Sequence, residues 1–447
     1  MKTLAIVVGG GPSPGINAVI AAATIEARNS DLRVLGVRTG FRALVRGDAE
    51  AARELEIGDV SRIHFEGGSI LGTSRVNPAR TPEDLRAVVE ALRRLGVSYL
   101  LTIGGDDTAF AASRVAGAMP GELAVVHVPK TIDNDLPLPP EVPTFGYTTA
   151  VNLGKDLVQN LMRDATTMGR WFFVTVMGRH AGHLALGIAG AAGATLAVIA
   201  EEFPAGRVPL DRLADILEGA IIKHRLLGHE DGVAILAEGL LEKLDPATLG
   251  PVERDSYGNV RLAELELGRM LKSRVTASLA ARGLTVGIVA KDLGYELRCA
   301  PPDGFDIQYC RSLGYWAVHF LLDGGTEAMV TIQGGRLVPM AFREIVDATT
   351  GRIRVRYVDV GSEMYRTLAA YMIRLKPEDL ADPERVRSLA AAGRMPEADF
   401  LARFGPVAGG TGQRGTASRG EYHAAQGEHR TKSREHPGQP GELPPVD

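Results

Sequence analysis

Two hydrophobic periods alternate along most of this chain. Short apolar runs bounded by glycine-rich turns are interleaved with longer stretches whose apolar residues recur every three or four positions. The runs Leu4–Val8, Arg33–Arg38, Tyr99–Ile103 and Leu123–Val128 read as buried strands. Helices are expected over Gly15–Arg28, over Pro82–Leu95 and through Thr108–Val115. In the second of these Leu85, Val88, Val89 and Leu92 share one face, and Thr81 is the expected N-cap. Such alternation predicts a parallel, doubly wound sheet. After Pro143 the rhythm restarts, with helix Thr148–Arg163, strand Trp171–Met177, helix Ala181–Ala191, strand Thr195–Ala200, helix Leu210–Leu226 and strand Gly232–Ala237. This predicts a second α/β unit of similar size. Near Gly287–Arg298 the chain is expected to pass back between the two. Gly334-Gly335 reads as the turn of a hairpin joining Met329–Ile332 to Leu337–Val338. The expected fold class is therefore α/β: two doubly wound, mainly parallel, three-layer domains with the active site in the cleft between them. From about Pro406 onward Gly, Gln, Arg, His, Ser and Pro replace the apolar periodicity, and that tail is expected to be disordered.

Composition narrows the function classes. The chain has 447 residues, enough for two such domains. A net charge of −4 and a pI near 6.2 favour neither nucleic acid nor an anionic membrane as partner. Basic residues are therefore read as local sites. Two cysteines, Cys299 and Cys310, cannot make a disulfide framework and are expected as reduced core thiols. No signal peptide is visible, because Met1-Lys2-Thr3-Leu4 runs straight into a strand. No apolar run is long enough to span a bilayer. Ala181–Ala200 comes closest, and its Gly and Ala repeats suit a packed core helix followed by a strand. A cytoplasmic enzyme is expected.

The candidate chemistry sits where strands end. Pro129-Lys130-Thr131-Ile132-Asp133-Asn134-Asp135 follows one apolar run, and Gly104-Gly105-Asp106-Asp107-Thr108 follows another. In open α/β sheets the ligand crevice lies at the carboxyl ends of the strands. The two turns supply metal-holding carboxylates, a candidate base and a phosphate-neutralising cation, the parts that phosphoryl transfer requires. Gly9-Gly10-Gly11-Pro12-Ser13-Pro14-Gly15-Ile16-Asn17 joins a strand to a helix. It reads either as a phosphate loop or as a tight turn needing positive φ, and it matches neither a Walker A loop nor the dinucleotide fingerprint. Gly67-Gly68 through Thr73-Ser74-Arg75, with Arg80 behind, suits a polyphosphate or a solvated surface loop. Met177-Gly178-Arg179-His180-Ala181-Gly182-His183 would aim Arg179 at the crevice. His180 and His183 have no accompanying ligand cluster and are expected to be packed or hydrogen-bonded rather than metal-bound. Glu238 ends another apolar strand and could accept hydrogen bonds from sugar hydroxyls, cap a helix or pair with a cation.

Together these residues resemble the phosphofructokinase family. The resemblance rests on Gly10-Gly11 through Pro14-Gly15-Ile16-Asn17-Ala18, Gly67-Gly68 through Leu71-Gly72-Thr73-Ser74-Arg75, Gly104-Gly105-Asp106, Thr131 to Asp135, and Met177-Gly178-Arg179. It runs in order from Lys2 to about Leu375. It implies roles. Asp133 matches the base that deprotonates the sugar's 1-hydroxyl. Thr131 matches a residue holding the transferred phosphoryl group, and Lys130 joins them in the chemistry. Asp106 and Asp135 match carboxylates near Mg²⁺. Gly10, Arg75, Asp107 and Lys130 match the phosphoryl-donor site. Met177, Gly178, Arg179, Glu238, Tyr295 and Arg298 match the fructose 6-phosphate site. Arg170 matches an arginine that reaches the sugar phosphate from a neighbouring subunit, which implies a homodimer or homotetramer. The resemblance also implies a donor-binding domain over residues 1–140 with roughly 297–350, and a sugar-phosphate domain over 141–296 with roughly 351–375. A helical extension over 376–405 and a disordered tail over 406–447 would follow.

Two positions bear on the donor. Members of the family that use ATP usually carry glycine where this chain has Asp107 and Lys130. The pair resembles the pyrophosphate-dependent branch, since an Asp107 carboxylate would occupy and repel the nucleotide's α-phosphate, and Lys130 adds a cation beside two phosphates. The expectation is Mg²⁺-dependent, reversible transfer from pyrophosphate to the 1-hydroxyl of fructose 6-phosphate, with an ATP-dependent enzyme as the alternative. Four departures from the ATP-using pattern stand out: Phe41 for tyrosine, Pro12 for aspartate, Tyr295 for histidine, and Cys299-Ala300-Pro301 for glycines.

Overall fold

The computed structural model describes residues 1–447 except 205, 249–264, 348 and 409–447. Eleven strands form two sheets among the described residues. The first contains β1 (Thr3–Val8), β2 (Arg33–Val37), β3 (Ala52–Glu54), β4 (Val97–Gly104) and β5 (Ala124–Pro129). The second is built from β6 (Arg170–Val176), β7 (Leu196–Val198), β8 (Gly232–Ala237) and β9 (Gly287–Leu293). The chain then returns to the first sheet for β10 (Ala328–Gln333) and β11 (Arg336–Ala341). The orders are β11-β10-β5-β4-β1-β2-β3 and β7-β8-β6-β9. All pairings are parallel except the edge pairs β2–β3 and β10–β11. The fold is α/β with two mainly parallel sheets, as the periodicity predicts. The second sheet has four strands against seven.

Burial on both faces explains the continuous apolar runs. Leu4, Ile6 and Val8 face one cluster, with Val19 and Ile20 of helix Ile16–Asn29 and Leu313 and Val318 of helix Gly304–Leu322. Ala5 and Val7 face the other, with Val88, Leu92, Ala112 and Val115. Thr81 caps helix Pro82–Arg94 as expected, accepting from the Asp84 amide at 3.1 Å. Gly334 and Gly335 have φ of 55° and 75°, the mirror-image turn that a two-residue hairpin requires.

Three local expectations need correction. Gly287–Leu293 is not a passage between units but an edge strand paired along β6. Of the two expected core thiols, Cys310 is buried but Cys299 is exposed. The expected tail boundary at 406 falls too early, because Val407 is buried beside Phe400 and Phe404. Each such side chain contributes about 1.5–3 kcal/mol on burial. The rest of the expected tail, 409–447, lies outside the described residues. Helices Pro383–Ala392 and Glu397–Phe404 pack on Leu210–Leu226, where Arg403 and Arg282 both pair with the buried Glu218. No described helix is long and apolar enough to cross a membrane.

Candidate active site

The strand order explains why distant motifs meet. In the first sheet β5, β4 and β1 are neighbours, and their ends are level: Val8 pairs with Ile103, and Ile103 with Val128. The chain leaves β1 toward β2 but later enters β4 on the other side. The glycine loop after β1 and the acidic turn after β4 therefore flank a topological switch point. In the second sheet β8, β6 and β9 are neighbours, with Val176 opposite both Ala237 and Leu293. This gathers Met177–Arg179, Glu238 and Tyr295–Arg298 at one end.

At the end of the first sheet Lys130 is buried, and its ammonium donates to the Gly11 carbonyl at 2.6 Å. A methyl group on Gly10 would come within 3.1 Å of that ammonium, so the glycine makes room for it. Gly10 has φ 81°, which settles the glycine loop as needing positive φ at this position. Its amide donates to the Ser74 carbonyl at 2.9 Å, which fastens the second glycine loop beside the first. Arg75 follows directly and is exposed. Asp106 and the exposed Asp107 begin helix Asp106–Ala118, where carboxylates favour the positive end of the dipole. Although Asp107 reaches solvent, partial desolvation by the surrounding protein, then the neighbouring Asp106, pushes its carboxyl above the usual range, against the pull of Arg352, His180 and Arg179.

Along the loop after β5 burial alternates. Ile132, Asn134 and Leu136 are buried, while Thr131, Asp133 and Asp135 are half-buried. The Thr131 hydroxyl accepts from the Asp133 amide at 3.0 Å and lies within hydrogen-bonding reach of Asp135. Burial first, and Asp135 second, pushes the Asp133 carboxyl up to about 7; Arg298 and Lys130 oppose the rise. Asp135 is raised by burial and by Asp106. Lys130 is pushed down to about 8, mainly by burial. A base titrating near neutrality, a buried cation and converging carboxylates are the electrostatic marks of a phosphoryl-transfer cleft.

At the end of the second sheet Glu238 accepts from the Gly178 amide at 3.2 Å, and Gly239 donates to the Gly178 carbonyl at 3.1 Å. Arg298 bridges the two ends. Its guanidinium lies over the exposed Tyr295 ring at 5.2 Å from the centroid. A methyl group on Gly11 would stand 3.3 Å from it. Met177 packs against Gly294. Arg179 is largely exposed and rests 3.4 Å from Glu242. Exposed pairs of this kind contribute little to stability.

Most of the sequence candidates therefore meet, and one does not. Arg170 starts β6 and Arg179 lies beyond its far end, so the length of the strand, about 20 Å at ~3.3 Å per residue, stands between them; Arg170 pairs with Asp164 at 2.7 Å. His183 donates to the Arg356 carbonyl at 3.2 Å, as expected, whereas His180 is only partly buried and lies 3.6 Å from Glu242, beyond hydrogen-bonding distance. Sequence reasoning missed Arg352, Glu242 and Arg356. Arg352 follows Gly351 in a turn that carries no motif, and neither Glu242 nor Arg356 stands in a glycine turn or at the end of a strand, so no local signal marked them.

Carboxylate geometry bears on a metal. Among the described residues no group of three or more His, Cys, Asp and Glu side chains forms a metal cage. Asp106 raises the Asp135 carboxyl, so the two carboxylates interact at the neighbouring ends of β4 and β5. One or two carboxylates together with substrate phosphates can hold a divalent cation.

Comparison with known proteins agrees with the geometry. The Phosphofructokinase family pattern matches residues 3–321. The chain belongs to the phosphofructokinase family. This family member is 51% identical over 411 residues to the pyrophosphate–fructose 6-phosphate 1-phosphotransferase of Thermotoga maritima, covering 90% of this chain and 98% of that protein. It is 48% identical over 416 residues to the enzyme of the same name from Naegleria fowleri, covering 90% and 95%. The crystal structure of pyrophosphate-dependent phosphofructokinase from Nitrosospira multiformis superposes with a TM-score of 0.61 at 19% identity, covering 83% of this chain and 92% of that one. At that identity the likeness carries the fold alone.

Proposed function

We propose that this phosphofructokinase transfers a phosphoryl group reversibly from pyrophosphate to the 1-hydroxyl of fructose 6-phosphate, giving fructose 1,6-bisphosphate and phosphate. The observation that carries the donor is the Asp107–Lys130 pair: a carboxylate on the first turn of a helix, and a buried ammonium against the Gly10-Gly11 loop. The names of the two relatives near half identity support the same reading. The unit around the first sheet, residues 1–140 with roughly 297–350, takes the donor. Residues 141–296 with roughly 351–375 take the sugar phosphate.

In the forward reaction ionised Asp133 removes the proton from the 1-hydroxyl. The oxygen bonds to the nearer phosphorus, and the bridging P–O bond breaks with its electron pair on the leaving phosphate. Lys130, Gly10 and Arg75 hold the donor, and Thr131 holds the transferred group. Arg298, Tyr295, Arg179, Met177, Gly178 and Glu238 hold fructose 6-phosphate. Asp106 and Asp135 would hold Mg²⁺, which would neutralise phosphate charge when bound. Assay of the wild type with fructose 6-phosphate and either donor tests the reading: turnover is expected with pyrophosphate, and a preference for ATP would overturn it.

Two shifted groups set the pH dependence. Asp133 must be ionised and Lys130 protonated. With the first raised to about 7 and the second lowered to about 8, kcat/KM rises with pH through the former and falls through the latter. A profile flat between about pH 6 and about pH 9 contradicts this pairing of roles.

The enzyme is cytoplasmic and a homodimer or homotetramer, with Arg170 serving the site of a partner subunit. The distance of Arg170 from its own Arg179 supports that use. Arg170→Ala is expected to raise KM for the sugar phosphate, since one charge-assisted contact contributes about 1.5–3 kcal/mol. Full activity in a species that sediments as a monomer at assay concentration rules it out.

A further inference from the structure

Asn134, between the two aspartates, adopts φ 56°, the left-handed region that most side-chain-bearing residues avoid and asparagine tolerates best. The bend there sets the angle between the Asp133 and Asp135 carboxylates. What holds it comes from 222 residues downstream. Arg356 Nε donates to the Asn134 carbonyl at 3.1 Å, and its Nη2 donates to Asn134 Oδ1. Its Nη1 donates to the carbonyls of Leu138, Pro139 and Val142 at 3.2, 2.8 and 2.9 Å. Its own amide donates to the Asp135 carbonyl at 2.7 Å. Asn134 Oδ1 also accepts from the Thr144 amide at 3.0 Å, and the Thr144 hydroxyl donates to the Thr131 carbonyl at 2.7 Å.

None of these hydrogen bonds from Arg356 goes to a carboxylate. A partly buried guanidinium without such a partner is costly, and burial holds this one below its ordinary range. A loop needing only stability would be served by an apolar side chain. The planar fork instead matches several carbonyl oxygens at fixed angles. The same strand of chain is tied to the sugar-phosphate loop. The Arg356 carbonyl accepts from His183, and Glu201 accepts from the amides of both Gly182 and Val358, at 2.8 and 3.1 Å.

We propose that Arg356 and Asn134 are positioning residues: they hold the bend that aims the Asp133 base, and they reference it to the loop that binds the sugar phosphate. This rests on the reaction proposed above. The test uses the full-length enzyme with Mg²⁺ and three variants: Arg356→Lys, which keeps the charge without the fork; Asn134→Gly, which keeps ease at positive φ without the acceptor; and the double variant. Folding is checked by melting temperature. Each single variant is expected to keep KM for fructose 6-phosphate within ~3-fold while kcat falls by roughly 10- to 100-fold, the usual result of slight misalignment. The double variant is expected to fall no further than the worse single, because both remove the same contact. Near-normal kcat in either folded single variant overturns the proposal, as do losses that multiply in the double. Should Arg356→Lys not fold, Asn134→Gly decides alone. A wrong donor shows in the wild type, where the same cycle can be run with ATP; a wrong clamp shows only in the variants.

Discussion

Asp133→Asn is expected to leave a folded enzyme that binds fructose 6-phosphate normally and has lost roughly 10²–10⁴ of its kcat. Asparagine matches aspartate in shape and cannot accept the proton. The metal-holding carboxylates, Lys130 and the sugar-phosphate contacts all remain, so positioning and charge neutralisation persist. Stability should not suffer, and the direction of the shift says why. Burial and Asp135 raise this carboxyl from 3.8 to about 7, so the fold disfavours its ionised form. The contribution of a raised carboxyl to stability is fully present below its unfolded value and is lost as pH rises through the raised one. At pH 8 the neutral asparagine therefore relieves repulsion, and the melting temperature is expected to match or exceed that of the wild type. Measuring kcat and melting temperature together at pH 8 separates the two effects. A folded variant with near-normal kcat would remove Asp133 from the role of base.

Exchange of the donor gate is expected to give the second large effect. Asp107 stands exposed on the first turn of its helix, where its carboxylate would meet the α-phosphate of a nucleotide. Unpaired like charges in a cleft cost several kcal/mol, and each ~1.4 kcal/mol is a factor of ten in selectivity. Asp107→Gly should therefore weaken the use of pyrophosphate and admit ATP. Lys130→Gly alone should damage the pyrophosphate reaction without making ATP an efficient donor, because Asp107 still obstructs. It also removes a buried side chain packed against Gly10, so part of its cost is structural. The two changes should be non-additive, since both act on the same phosphates. The measurement is kcat/KM for each donor in the wild type, both single variants and the double. An unchanged donor ratio in Asp107→Gly would show that the carboxylate is not the gate.

Much of the fold was legible without coordinates because both sheets are buried on two faces. Their strands appear as continuous apolar runs, and glycine turns punctuate them. β8 and helix Leu210–Leu226 fall where the periodicity predicts. β9 was not legible as a strand of the second sheet. It is an edge strand with exposed Lys291 and Asp292, so its pattern is half polar. The extent of the C-terminal packing was also hidden, since Val407 is a lone apolar residue beside a polar tail.

For the candidate site, the sequence by itself determined which residue types stand at the ends of strands: Gly10, Asp106, Asp107, Lys130, Asp133, Arg179, Glu238 and Arg298. Each lies in a short motif whose spacing carries its chemistry. Only the tertiary structure decided how they face one another. Strand order brings β5, β4 and β1 together on one side and β8, β6 and β9 on the other. The pKa of Asp133 depends on burial and on charges at Glu238 and Arg298 as well as at its neighbours Lys130 and Asp135, a set that no local window contains. Arg356 depends on the tertiary structure entirely: nothing near it in the chain marks it, and its partners at 134–142 are met only when the chain folds back across the cleft. Local chemistry is written in neighbouring residues, whereas the geometry of a cleft is set by contacts between residues far apart in sequence.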